Sequence, residues 1–328
     1  MSFITHGVFM KSLLLLAVLC LTLPFLPGCP EPQRGDHGTT LAVPLDQQIA
    51  ELNARSLLVQ TLKASGRLSL EWRDKDGNHR QTADAKLVLQ RLPLTPGNSP
   101  ANPEALVALF GSFSGTEVFD MAVNQTHHWI AFRSDDKKAY VGKVVPPTTT
   151  AATKSVASES LAAEVAPFRA DRVLEAMGLA LIPYDPKLPG SVQQTPTDDS
   201  QNPSTVLTVC RVIRNGGFVH YAKQREIIIG RHTGRIEVIR TYNSNGSLEA
   251  VARLTEYFQI KTGQSLPNGD DQKVWVAHRI QVDYPGRQAN VDLAMRVIKL
   301  GVEIPAKAFE MPDFAEEGLR VVDVDKAK

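Results

Sequence analysis

The chain has 328 residues, of which 43% are hydrophobic and 22% are charged, and its 36 Lys and Arg residues nearly balance its 35 Asp and Glu residues. This composition excludes wholesale disorder, and the near-neutral charge argues against nucleic acid as the main partner, because such proteins need an excess of basic side chains. The length allows one large domain or two small ones.

The N-terminus predicts a secretory signal that ends in a lipid-attachment cysteine. Residues 12–25 form an apolar run that is too short to span a membrane but has the length of a signal-peptide core, with Lys11 just ahead of it. The next residues, Leu26-Pro27-Gly28-Cys29, resemble the bacterial lipobox, with Pro27 at a position that usually holds a small residue. We therefore predict a signal peptide over residues 1–28 and acyl chains such as palmitate on Cys29. The alternative is an ordinary secretory signal in which Cys29 is incidental.

Cleavage before Cys29 determines which cysteine thiols remain in the mature chain. Cys20 leaves with the signal and Cys29 carries lipid, so Cys210 is the one remaining thiol and an intramolecular disulfide is excluded. Pro30 follows the cysteine, where Asp would favour inner-membrane retention. The sequence thus predicts a lipid-anchored, periplasm-facing envelope protein and favours the outer membrane over the inner.

A helix follows a flexible tether, which we assign to residues 29–44. Ile49, Leu52, Val59 and Leu62 lie on one helical stripe, and Asp46 is a suitable N-cap. These spacings predict a helix over residues 46–62.

From residue 67 the apolar period changes to two, which is typical of an antiparallel sheet with one apolar face. A second helix is predicted over residues 167–178, because its apolar positions share one face and Gly178 sits where a helix terminates. We predict one domain over residues 45–315, with Pro-rich loops near 93–103, 145–160 and 183–204 and a C-terminal tail over 316–328. The predicted strands cover residues 68–72, 83–90, 119–123, 128–133, 138–143, 206–213, 218–223, 225–231, 235–241, 249–259, 274–282 and 291–297.

Three segments resemble the LolA/LolB/LppX-like periplasmic lipoprotein-carrier fold family. They are the helix-to-strand junction over residues 61–70, the strand–turn–strand over 231–246, and the terminal segment over 302–312 with its Ile304-Pro305 and Phe309. The resemblance implies an α+β fold in which a single strongly curved antiparallel sheet, an incomplete β-barrel, is covered by helices and encloses an apolar cavity.

The cavity is the candidate functional site, and strand alternation selects its lining. The alternative for each residue is an ordinary place in the core. The candidates are Leu68, Leu70, Trp72, Leu87, Leu89, Phe119, Met121, Val123 and Trp129.

The chain carries no recognisable catalytic, cofactor or metal motif. His127 and His128 are adjacent on a predicted strand and therefore point to opposite faces, and Cys210 alternates with apolar residues as a core thiol does. We expect a non-catalytic protein, without cofactor or metal, that binds or accepts acyl chains of a lipid or lipoprotein. The alternative is a structural or envelope-assembly lipoprotein with a filled core and no ligand. The oligomeric state stays open.

Substitution Cys29→Ala should leave the protein without lipid, because the thiol is the acceptor in the predicted lipobox. The measurement is labelling of cells with a fatty-acid analogue, followed by comparison of the two proteins. Equal labelling would place the anchor elsewhere or show that there is none.

Overall fold

The structure, a computed structural model, describes residues 43–74, 77–93, 104–134, 137–144, 170–188, 190–197, 203–215, 218–266 and 269–325. These residues belong to one compact unit. The predicted signal peptide, Cys29, nearly all of the tether and the loop at 145–160 lie outside the described residues.

The described chain contains two α-helices and fourteen strands. The helices are α1 (Leu45–Leu57) and α2 (Ala170–Ala176), and two 3-10 turns span Pro285–Arg287 and Ala306–Phe309. The strands are β1 (Thr61–Asp74), β2 (Gly77–Arg91), β3 (Ala105–Phe113), β4 (Thr116–Val123), β5 (His127–Phe132), β6 (Lys138–Lys143), β7 (Val192–Pro196), β8 (Ser204–Asn215), β9 (Phe218–Gly230), β10 (Ile236–Tyr242), β11 (Leu248–Ser265), β12 (Asp271–Tyr284), β13 (Ala289–Leu300) and β14 (Arg320–Asp323).

All fourteen strands form one open sheet in the order β14-β6-β5-β4-β3-β2-β1-β13-β12-β11-β10-β9-β8-β7. Neighbours are antiparallel except β14, which runs parallel to β6. Strands β4 and β12 are five places apart, so a flat sheet would separate them by about 24 Å. Side chains from both strands nevertheless line one cavity, which requires a strongly curved sheet. The prediction of a single curved antiparallel sheet that does not close is confirmed.

The prediction that helices cover the concave face is not supported, because the described residues contain only two α-helices. Helix α1 packs on strands β7–β9 through Ile49 and Leu52, and the seven-residue α2 packs on strands β3–β5, with Leu174 and the following Met177 in the core. Between the helices the concave face is covered by irregular chain, which we call the strap, residues 179–182. Because the strap has no regular structure, its backbone N–H and C=O groups need other partners.

Side chains from four separate segments supply those partners. Asn53 of α1 bonds both the N–H and the C=O of Ile182, at 2.8 and 3.0 Å. The carboxylate of Glu104 accepts from the Leu181 N–H at 2.9 Å, and Arg225 of β9 donates to the Leu181 carbonyl at 3.1 Å.

Arg91 of β2 completes the set from a position beneath the strap. Its guanidinium donates to the carbonyl of Leu179 and, at 3.2 Å, to the carbonyl of Ser56 at the end of α1. The side chain is 3% exposed and lies 3.8 Å from Glu104. Arg91 therefore ties α1, the strap and the sheet together in one buried network.

The convex face of strands β2–β6 is buried as well. Ala108, Trp129 and Ala131 pack there against Phe309 and Phe314 of the C-terminal segment, residues 301–325. This segment then adds β14 beside β6. Residues 320–323 are thus part of the sheet, whereas the sequence predicted a tail from residue 316.

Several boundaries differ from the predicted ones. Helix α1 ends at Leu57, because residues from Thr61 onward pair with β2 and, from Leu62, with β13. Residues 218–230 form one continuous strand instead of two, and the predicted loop at 183–204 contains the edge strand β7. Strand β3 was not predicted at all, because its apolar run does not alternate.

Substitution Arg91→Met should destabilise the fold by about 2–4 kcal/mol, because it leaves two buried carbonyls without a hydrogen-bond donor and removes the cation beside Glu104. The measurement is the free energy of unfolding in urea. Arg73→Met, at an exposed position on β1, is the matched control and should change it by less than about 0.5 kcal/mol. Equal effects of the two substitutions would contradict a structural role for the Arg91 network.

Candidate functional site

An apolar cavity lies between α2 and the concave face of the sheet. Its sheet side is lined by Leu68, Leu70, Phe119 and Met121 on β1 and β4 and by side chains of β13, the neighbour of β1, and β12. Val173, Ala176 and Met177 close it from the side of α2. Arg172 is the one charged side chain in this lining as far as the structure describes it.

The cavity is narrow in this conformation. The cleft contains about 590 Å³ of empty space when space open to solvent is counted, but the centres of water-sized molecules can occupy only about 50 Å³ of it. One water needs roughly 10–15 Å³ by that second measure, so the enclosed space holds a few water molecules. We therefore expect the lining, α2 included, to rearrange before an acyl chain can be buried here.

The structure brings together part of the predicted lining. Leu68, Leu70, Phe119 and Met121 line the cavity. Leu87, Leu89 and Val123 share its apolar core cluster without lining the cavity itself. Trp72 is half-buried at the edge of that cluster and stacks on the His79 ring at a centroid distance of 5.2 Å.

Trp129 lies on the other face of the sheet, which corrects its predicted place in the lining. On β5 the neighbouring Ile130 points to the cavity, and strand alternation therefore turns Trp129 to the convex side. There its indole N–H donates to the buried carboxylate of Asp120 at 2.8 Å. Asp120 also accepts from Arg133, which contacts Glu317 of the C-terminal segment at 2.9 Å.

Most of the described lining escaped the sequence prediction. Ile280, Val282, Val291 and Leu293 come from two strands whose alternation was recognised, but nothing local in the sequence showed that β13 pairs with β1. The signal that could have found them is the alternation itself, because β12 and β13 each present an apolar face like those of β1 and β4.

Local sequence explains why α2 ends where it does. Gly178 has φ +68°, and the N–H groups of Gly178 and Leu179 bond the carbonyls of Glu175 and Leu174 at 2.9 and 3.1 Å. This is the Schellman pattern, in which a left-handed residue terminates the helix and two residues at its end make an apolar contact. It turns the chain from α2 directly into the strap.

Charged groups lie at the rim of the cavity. Arg172 pairs with Glu175 at 2.8 Å and with Glu249 of β11 at 3.6 Å. Further along the strap, burial raises the pKa of the Glu104 carboxyl, and the Leu181 N–H and Arg91 oppose that rise.

Comparison with known proteins gives a partial likeness to solved structures. No protein-family model matches the chain, and neither does any curated protein. A DUF1329 family protein from Desulfovibrio piger is 10% identical, with 81% of this chain and 97% of that chain covered and a TM-score of 0.42. A putative outer membrane lipoprotein-sorting protein domain from Vibrio parahaemolyticus is 10% identical over 83% and 96%, with a TM-score of 0.41. A LolA superfamily protein from Nitrosomonas europaea is 11% identical over 80% and 97%, with a TM-score of 0.40.

The sequence resemblance to the lipoprotein-carrier fold family includes the terminal segment over residues 302–312. The terminal segment that carries part of this resemblance is placed by burial, since Ile304 and Phe309 are 8% and 4% exposed. Both side chains belong to the convex cluster and not to the cavity.

Other chemistry-bearing groups are dispersed over the described ranges. No group of three or more His, Cys, Asp or Glu side chains within them is arranged to hold a metal ion. Burial raises the pKa of the partly exposed Cys210 thiol. None of the helices that the structure describes is long and apolar enough to cross a membrane.

Substitution Gly178→Ala should cost about 1–2 kcal/mol of stability, because a left-handed backbone disfavours a Cβ atom. The added carbon would also lie 3.1 Å from Ile236 and 3.3 Å from Leu254. Gly286→Ala is the control, since no left-handed φ and no nearby atom restrict that position. Chemical denaturation of both variants measures the difference, and a neutral Gly178→Ala would show that the end of α2 does not constrain the fold.

Proposed function

We propose that this protein is a non-catalytic, lipid-anchored envelope protein that holds an acyl chain of a lipid or lipoprotein between α2 and the curved sheet. The observation that carries the proposal is the cavity, whose described lining is apolar apart from Arg172. Apolar concavities with a few polar groups at their edge are typical ligand sites. The anchor is Cys29, which is proposed from the sequence and places the cavity on the periplasmic side of the envelope.

The free energy needed to move α2 away from the sheet is comparable to the free energy that a buried acyl chain supplies. Moving α2 exposes Leu174 and Met177 fully and Val173 in part, which costs about 4–8 kcal/mol at 1.5–3 kcal/mol for each buried side chain. An acyl chain recovers about 0.8 kcal/mol per buried methylene, so about ten methylenes offset the cost. Because about five methylenes offset the lower end of this cost, a ten-carbon chain or a ligand with a comparable apolar surface can open the site.

A structural role is the second candidate, and the small enclosed volume favours it. Phe119 is 1% exposed and belongs to the largest fully buried side chains of the core. In this alternative the cavity is a packing defect beneath a fixed α2, and the protein serves assembly without a ligand.

Substitution Val173→Glu separates the two candidates. Val173 is half-buried on α2, so a carboxylate there can reach water when the helix shifts, yet it intrudes on the space of an acyl chain. We expect the variant to keep its fold and to bind a fluorescent fatty acid at least tenfold more weakly. The measurements are a thermal melt and a titration on the non-lipidated Cys29→Ala chain, with and without the second change.

Val297→Glu is the matched control, because Val297 is 50% exposed outside the cavity. It should alter neither melting nor binding. A parent chain that binds no fatty acid, together with severe unfolding of Val173→Glu, would overturn the carrier proposal in favour of the structural one.

A further inference from the structure

We propose that the mouth of the cavity selects apolar chains that carry a cationic or neutral head group over chains that end in a free carboxylate. This inference rests on the proposed function, since it concerns the head of a ligand whose chain occupies the same cavity. It follows from the charges at the rim.

A second, smaller cleft continues from the cavity past α2. The two share Arg172, Ala176, Val282 and Tyr284, so the apolar space and this cleft meet at the same four side chains. The smaller cleft adds Glu175, Glu249 and Thr241. A ligand whose chain lies in the apolar cavity can therefore present its polar end to these groups.

The described lining of the two clefts carries more negative than positive charge. One arginine faces two glutamates, which leaves a net charge of −1 for these residues. Arg172 is 32% exposed and each glutamate 23% exposed, so solvent screens them less than it screens charges on the open surface.

Glu249 is the group with capacity left for a ligand. Glu175 takes the guanidinium of Arg172 at hydrogen-bond distance, 2.8 Å, whereas Glu249 lies 3.6 Å from it, which is too long for a hydrogen bond. Among the described residues, no hydrogen bond is donated to the Glu249 carboxylate. Its oxygens are open to a donor that arrives with the ligand.

Ammonium, carboxylate and hydroxyl head groups interact differently with Arg172, Glu175 and Glu249. An ammonium donates charge-assisted hydrogen bonds to Glu249 and offsets the negative excess. A carboxylate has to compete with Glu175 for Arg172, and it adds a third negative group to the cleft. A hydroxyl donates a hydrogen bond to Glu249 but carries no charge, so its affinity should lie between those of the ammonium and the carboxylate.

Three ligands with the same chain test the inference. Decylamine, decanol and decanoate are compared below their micellar concentrations by displacement of neutral N-phenylnaphthylamine from the non-lipidated Cys29→Ala chain at neutral pH. We expect decylamine to bind about tenfold more tightly than decanoate, which corresponds to about 1.4 kcal/mol, with decanol between them. The preference should shrink in high salt.

Substitution Glu249→Gln should reduce the ratio of decylamine affinity to decanoate affinity several-fold. It should leave the affinity for decanol unchanged. Glu303→Gln is the control, because Glu303 is exposed outside both clefts and should leave the ratio as it is. The ligand series on the parent chain is decisive even if Glu249→Gln does not fold.

Equal or tighter binding of decanoate, with displacement still observed, would overturn the head-group inference and leave the proposed function standing. Failure of all three ligands and of N-phenylnaphthylamine to bind would overturn both. A preference for decylamine that Glu249→Gln leaves intact in a folded variant would also overturn the assignment to this rim.

Discussion

An open sheet of fourteen strands must bury its concave face under chain that is not itself a sheet, and the strap is where this requirement is hardest to meet. Its backbone groups are partly or fully shielded from water, and apart from the Leu179 N–H, which bonds the end of α2, they depend on side chains for partners. Asn53, Arg91, Glu104 and Arg225 provide the missing partners from α1, β2, the segment before β3, and β9. Hydrogen bonds to charged groups contribute about 1.5–3 kcal/mol each, and leaving buried partners unmet costs a similar amount. The network therefore fixes the strap, and through it the positions of both helices.

The cavity results from the way different parts of the sheet are covered. Strands β2–β6 are covered on both faces, by the concave core and by the C-terminal segment, whereas concave side chains of β1, β4, β12 and β13 line a space that is covered by α2. A short helix that packs through three apolar side chains is the weakest part of the covering. The same feature that leaves little enclosed volume at rest permits a ligand to replace the helix at moderate cost, and the charged rim lies where that helix meets β11.

The sequence predicted the parts of this fold that have a local signal. Alternating strands such as β12 and β13 and the glycine that ends α2 follow from periodicity and turn chemistry, and the structure confirms them. Strand β3 has no alternation because Ala108 and Leu109 are buried on opposite faces, and for the same reason β5 gave no indication of which face Trp129 occupies. Arg91, Glu104 and Arg225 are far apart in the chain, so their meeting beneath the strap was beyond reach of any local pattern.

The most direct test of the account is the lipid content of the purified protein. The non-lipidated Cys29→Ala chain, purified without detergent, is extracted with organic solvent and its lipids are quantified by mass spectrometry beside those of the Val173→Glu form. The account predicts close to one acyl-chain lipid per parent chain and a marked loss in the variant. Equal lipid content in the two proteins, or none in either, would contradict a ligand site beneath α2.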